Sequence, residues 1–228
     1  MGTVVRLVLF DIDGTLIRTH GAGVKAFERT LSAEFNAPEG LEQVKFAGRT
    51  DPSIIRELFG INRIEASPAN FKRFYEAYVF WLDYLLSKSS GEICAGVWHW
   101  LHKIPALPQQ PMVGLLTGNI RLGAEIKLRH FQLWDCFVMG AFGDDHEDRA
   151  ELARIAQERA GTMLGQPLSG DQILVVGDTP RDVACAKAIQ AKSLAVATGG
   201  ATLEELKACQ PDWTVATLSE LDAATVCA

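Results

Sequence analysis

The sequence predicts an α/β protein, a doubly wound parallel sheet interrupted by an inserted all-helical domain. Three observations carry this prediction. Short apolar runs at residues 4–10, 112–116 and 173–176 are bounded by Gly, Pro or Asp and are too short for helices. They lack a polar face, as expected for parallel strands covered on both sides. Helical periodicity separates the later runs, and strands alternating with helices build right-handed βαβ units.

Taken in order, residues 4–10 form the first strand. Residues 17–91 then contain no convincing strand. Helical patterns occupy 24–35, 52–58 and 70–87 instead. The last carries Phe71, Phe74, Tyr75, Tyr78, Leu82 and Leu85 on one face, the pattern of a core-facing stripe. Residues 1–16 and 92–228 are therefore expected to form the α/β core, and residues 17–91 a second domain. Trp98, His99, Trp100 and His102 fit a helix packed on the sheet rather than a ligand set. The strand at 112–116 is followed by a helix over 118–130. A fourth strand is expected at 136–141, with a helix over 148–160 bearing Leu152, Ile155 and Ala156. The strand at 173–176 leads into a helix over 180–191, with Pro180 early in it, where proline is tolerated. A fifth strand is expected at 193–197. Leu203, Leu206, Trp213, Leu218 and Leu221 give the tail an apolar face for the core.

A chain of 228 residues can bury a substantial core without disulfides or structural metals. Its 48% hydrophobic and 22% charged residues are ordinary for a globular protein. A net charge of −6 offers no basic footprint for nucleic acid and no polybasic stretch for a membrane surface. The five cysteines are odd in number, scattered and never in a CxxC pair, so free thiols in a cytoplasmic protein are expected. Asp11 and Asp13 break the N-terminal apolar run, which argues against a signal peptide. No membrane span is expected. A monomer or homodimer is the expected state.

Three apolar runs end in polar residues of a particular kind. The first leads into Asp11-Ile12-Asp13-Gly14-Thr15, the second into Thr117-Gly118-Asn119, and the third into Gly177-Asp178-Thr179-Pro180-Arg181-Asp182. Ligands bind beyond the carboxyl ends of strands in open parallel sheets, so these segments converge on one pocket. Clustered carboxylates repel one another, and a hard divalent cation such as magnesium relieves that cost. Asp11 and Asp13, two residues apart, face one side of an extended chain. One can attack while the other protonates a leaving group. Thr117, Gly118 and Asn119 supply hydroxyl and amide donors near a helix N-terminus, a phosphate cradle.

These segments resemble the haloacid dehalogenase superfamily, and within it the phosphoglycolate phosphatase-like branch with a helical cap. Asp11-Ile12-Asp13-Gly14-Thr15-Leu16, Leu115-Leu116-Thr117-Gly118-Asn119 and Val176-Gly177-Asp178-Thr179-Pro180-Arg181-Asp182 match three of its motifs in order. The resemblance implies a Rossmann-like core capped by residues 17–91. It implies Asp11 as the nucleophile and Asp13 as the general acid and then base. Asp11, the Asp13 backbone carbonyl and Asp178 would hold Mg2+. Thr117 would bind phosphoryl oxygens, and Asp182 would support the metal through water or orient a cation. The family's usual Lys-Pro motif is absent. Arg149 is expected as the phosphate-neutralising cation, with Lys127 as its rival. Phe46-Ala47-Gly48-Arg49-Thr50-Asp51 resembles a cap loop that helps choose substrate, which makes Arg49 a candidate for binding a substrate anion. His146, among Asp144, Asp145, Glu147 and Asp148, is expected in a solvated loop.

The expected activity is magnesium-dependent hydrolysis of a small phosphorylated metabolite, phosphoglycolate-like, through an aspartyl-phosphate. A sugar phosphomutase resembling β-phosphoglucomutase shares the first half-reaction. A dehalogenase would need neither the metal nor the acid at Asp13. A non-catalytic binding protein would not need so many clustered acids.

Overall fold

The computed structural model describes residues 4–37 and 39–228. Its core is a six-stranded parallel sheet. In chain order the strands are β1 (Leu7–Phe10), β4 (Met112–Leu116), β5 (Met139–Ala141), β6 (Ile173–Gly177), β7 (Lys192–Val196) and β8 (Trp213–Val215). Their spatial order is β5-β4-β1-β6-β7-β8. The first strand is thus central. Phe10 is level with Leu115 on one side and Val176 on the other. This register brings the carboxyl ends of β1, β4 and β6 to one height.

Side chains alternate across β1. Val8 and Phe10 enter one hydrophobic layer, with Trp100, Leu115, Leu128 and Val176. Leu7 and Leu9 enter the opposite layer, with Leu152, Ala156 and Val175. Both faces are covered, which explains why the strands read as continuous apolar runs. The covering helices are α4 (Val97–Lys103), α5 (Arg121–His130), α6 (Arg149–Leu164), α7 (Pro180–Ala188), α8 (Leu203–Ala208) and α9 (Ala223–Cys227).

Between the first strand and the rest of the sheet lie α1 (Ala22–Phe35), α2 (Asp51–Ile61) and α3 (Pro68–Leu86). They enclose their own core of Phe27, Leu31, Ile55, Phe59, Phe74, Tyr78 and Leu82. Phe71, Tyr75 and Leu85 of the sequence stripe are only partly buried at its margin. Ser67 caps α3 by accepting from the Asn70 amide at 3.4 Å, and Pro68 opens the helix. The helix packs against both α1 and α5, joining the helical unit to the core.

Several local expectations need correction. A short antiparallel ribbon, β2 (Ile17–Arg18) with β3 (Glu92–Ile93), forms at the two junctions with the helical unit. Two residues per strand are too few to show a period of two. The edge strand β8 falls in the tail, where only apolar packing is expected; its three half-buried residues give no apolar run. Of the residues expected at 136–141, the first is in a 3-10 turn and only Met139–Ala141 pair with β4. Trp98 is 39% exposed and stacks on His102, whereas Trp100 alone is fully buried. All five cysteines are free. Among the described residues, no helix is long and apolar enough to cross a membrane.

Trp100 also ties the C-terminal segment to the core. Its indole Nε1 donates to the carbonyls of Leu218 at 3.0 Å and Leu221 at 2.9 Å. Trp100→Phe removes this donor and opens space in the core. A loss of about 2 kcal/mol in unfolding free energy is expected from urea titration. A change below about 0.5 kcal/mol would show that water replaces the donor at no cost.

Candidate active site

The loop after β1 is wound tightly. The Ile12 carbonyl accepts from the amides of Thr15, Leu16 and Ile17 at 2.9–3.3 Å. Gly14 makes the turn possible with φ of 85°. A Cβ there would stand 2.5 Å from Asp178 Oδ2, so the turn also needs the missing side chain. Asp11 is held to the sheet by its amide, which donates to the Val176 carbonyl at 3.0 Å.

These loops surround a cavity of about 310 Å³. Asp11, Asp13, Thr117, Gly118, Asn119, Lys127, Arg149 and Asp178 line its floor, and Arg49 lines its roof. Asp182 does not line the cavity; it stands behind Arg149 and is almost wholly buried. Oδ2 of Asp182 accepts from the Thr179 amide at 3.0 Å and hydroxyl at 2.6 Å, forming the N-terminal box of α7. Its Oδ1 accepts from Arg149 Nη2. Arg149 enters from the first turn of α6, which Asp148 caps. Its Nη2 lies 3.6 Å from Asp11 Oδ1. Nε of Arg149 is buried and has no hydrogen-bond partner among the described residues.

Carboxylate oxygens of Asp11, Asp178 and Asp182 lie within 4.8 Å of one another. Burial pushes Asp11 up to about 7, against the lowering influence of Arg149. Burial pushes Asp178 well above the usual carboxylate range, and the charges of Asp182 and Asp11 push the same way. Thr15 donates its hydroxyl to Asp178 Oδ1 at 3.1 Å. Burial opposes the Arg149 charge, but Asp182 and Asp11 outweigh it and raise its pKa further. Arg149 pairs with Asp11 and Asp182, so the cluster holds more carboxylates than positive charges to balance them. A divalent cation bound through hard oxygen ligands matches that deficit. Both oxygens of Asp182 are already committed, so Asp11 and Asp178 are the side chains with ligand capacity.

A second polar group surrounds Asp13. Lys127 Nζ donates to Asp13 Oδ2 and to Asn119 Oδ1, each at 2.6 Å. Asn119 Nδ2 donates to Asp13 Oδ2 and to Thr117 Oγ1, each at 2.8 Å. Lys127 thus meets Asp13, whereas Arg149 meets Asp11 and Asp182. The two candidate cations occupy different places around the floor.

The roof comes from the segment before α2. The Asp51 amide donates to the Gly118 carbonyl at 2.7 Å, and Asp51 Oδ2 accepts from the Ile120 amide at 2.9 Å. Thr50 Oγ1 donates to the Glu147 carbonyl at 2.9 Å. A Cβ on Gly118 would sit 2.0 Å from the Arg49 carbonyl oxygen. Arg49 itself is ion-paired to Glu57 and donates to the Ser53 carbonyl at 3.0 Å. The acidic loop around His146 forms no metal group among the described residues. Asp145 pairs with Arg159, Asp144 accepts from the Arg121 amide, and Glu147 pairs with Arg56.

Asp51 and Tyr78 also line the cavity, and neither was singled out as a site residue in the sequence. Tyr78 is hidden within an apolar stripe. Its hydroxyl was the one signal separating it from its phenylalanine neighbours. Asp51 stands at the end of the segment expected as a cap loop, and in the structure it is the first residue of α2.

The family model for haloacid dehalogenase-like hydrolases matches residues 8–196. The chain is 28% identical over 222 residues to a probable phosphatase, IndB, of Dickeya dadantii, covering 94% of this chain and 91% of that protein. It is 28% identical over 206 residues to a phosphoglycolate phosphatase of Pseudomonas fluorescens, covering 87% of this chain and 71% of the relative. The crystal structure of CbbY from Rhodobacter sphaeroides in complex with phosphate shares the fold with a TM-score of 0.77, at 16% identity and 98% and 99% coverage. The family match spans all three strand-end segments that build the cavity floor, and the chain belongs to the haloacid dehalogenase-like hydrolases.

Proposed function

We propose that this protein is a magnesium-dependent phosphatase acting on a small phosphomonoester through an aspartyl-phosphate on Asp11. The observation that carries this reading is the buried floor, where three carboxylates meet one guanidinium beside a hydroxyl and two further donors. Relatives named as phosphatases support it. They do not favour the phosphomutase alternative.

An Asp11 carboxylate oxygen attacks phosphorus in line, and the bond from phosphorus to the leaving alcohol breaks. Asp13, on the same side of the chain, gives its proton to the leaving oxygen. Asp13 then takes a proton from the water that attacks phosphorus, the Asp11–phosphorus bond breaks, and phosphate departs. Lys127 and Asn119 aim the Asp13 carboxyl. Arg149 neutralises the phosphoryl oxygens beside Asp11, with Asp182 fixing its position. Thr117 and the Gly118 amide complete the cradle. Asp11, the Asp13 backbone carbonyl and Asp178 would hold Mg2+, which supplies charge neutralisation for the phosphoryl group when bound. Residues 17–91 act as a cap whose closure over the floor excludes water.

Asp11→Asn is expected to abolish phosphate release while the protein stays folded. Arg149→Ala should lower kcat at least about 100-fold, and Lys127→Ala less. The reverse order in steady-state kinetics would assign phosphate neutralisation to Lys127.

The cation has a readout separate from turnover. The raised pKa of Asp11 means that its protonated form favours the folded, metal-free protein. That contribution is complete below about 4 and is lost as pH rises through about 7. Magnesium binds the deprotonated carboxylates, so its stabilising effect should grow over the same range. Thermal melts with EDTA or magnesium should show a larger magnesium-induced rise in Tm at about pH 8 than at about pH 5. Asp178→Asn should remove the difference. An equal rise at both pH values would argue that the ion binds elsewhere.

A further inference from the structure

The roof of the cavity carries no uncommitted positive charge. The cations lining the cavity among the described residues are Arg49, Lys127 and Arg149. Each is already paired within the protein, to Glu57, Asp13 and Asp182 respectively. Asp51, buried and facing the same space, adds an acid rather than a base. Val24, Phe27, Phe46 and Ile54 give the cavity an apolar wall. A leaving group bearing a carboxylate would surrender its hydration here and gain no cation in return.

Tyr78 and Thr19 bring hydroxyls to this cavity that have no hydrogen-bond partner among the described residues, and of the two Tyr78 stands among the apolar side chains of the helical unit. Tyr78 is 1% exposed, and its ring packs on Phe27 at 4.8 Å and Phe74 at 6.3 Å between centroids. Tyr78 lines the cavity, and its hydroxyl has no hydrogen-bond partner among the described residues. A Cβ on Gly123 would lie 3.7 Å from that hydroxyl, which places it over the first turn of α5. Buried tyrosine hydroxyls ordinarily find a partner, and leaving one unpaired costs free energy. Burial pushes its phenol well above the ordinary value, so it remains a donor at neutral pH.

We propose that Tyr78 is a specificity-determining residue whose hydroxyl hydrogen-bonds an uncharged oxygen on the leaving alcohol, while the alcohol's carbon skeleton packs on Val24, Phe27 and Ile54. The inference rests on the phosphatase reading and narrows it. The substrate is a phosphate ester of a compact, uncharged alcohol that carries one further hydroxyl or carbonyl oxygen. Phosphoglycolate, whose leaving alcohol bears a carboxylate, does not fit this wall. Arg49 then shapes the roof through its pair with Glu57 rather than reading a substrate anion.

The test uses straight-chain alkyl phosphates of two to five carbons, each ending in a methyl, a hydroxyl or a carboxylate. The two-carbon carboxylate ester is phosphoglycolate itself. Phosphate release is followed with magnesium for the wild type and for Tyr78→Phe, whose folding is checked by circular dichroism. At the best chain length, the hydroxyl-ended ester should exceed the carboxylate-ended one in kcat/KM by about tenfold or more. Tyr78→Phe should lower the hydroxyl-to-methyl ratio of kcat/KM by about tenfold. A carboxylate-ended ester as best substrate overturns the proposal, as does a ratio that Tyr78→Phe leaves unmoved. Absence of phosphate release from every ester strikes instead at the phosphatase reading beneath it.

Discussion

Charge balance in a dry space governs this molecule. Asp11, Asp178 and Asp182 sit together at the end of the sheet, and Arg149 pairs with Asp11 and Asp182. Burying charges is costly, and the cost is tolerable only where hydrogen bonds are near complete. Asp182 meets that condition, since the α7 cap and Arg149 occupy both of its oxygens. Asp178 is held by Thr15, and Asp11 by its amide, which donates to the Val176 carbonyl of β6. The remaining imbalance is what the proposed cation would meet.

The sheet exists in a register that permits this gathering. A slip of one residue in β1 would move Asp11 to the other face and send Val8 and Phe10 out of their layer. Placing β1 between β4 and β6 sets three loops side by side that are far apart in the chain. The helical unit adds the roof through α2 and α3, and its own aromatic core keeps those helices stiff. Floor and roof thus rest on separate hydrophobic cores, joined where α3 lies on α5.

Much of the floor was legible in the sequence because its acids end apolar runs. Asp11, Asp13, Thr117 and Asp178 stand where a buried strand stops, and a polar residue there has few other reasons to exist. The helical insertion was legible for a similar reason, since the Phe71 to Leu85 stripe has helical spacing. The β2–β3 ribbon and β8 were not, because strands of two or three residues carry no period. Asp182 was recognised as a site residue, but its place behind Arg149 depends on how α6 meets α7. Arg149 was expected ahead of Lys127 on position alone; the folded chain sets Lys127 on Asp13 and Arg149 on Asp11 and Asp182. Tyr78 was read as core, and its ring is core. The hydroxyl at its tip belongs to the cavity, a division within one side chain that spacing does not reveal.

The contact between Gly118 and the Arg49 carbonyl has a further meaning. At 2.0 Å there is no room for even a methyl group, so residue 118 acts as a vernier between floor and roof. Any added atom would be converted directly into a gap along the seam where Asp51 meets Gly118 and Ile120. The tightness of the whole enclosure is therefore written at a position with no side chain, where the admissible alphabet has a single letter.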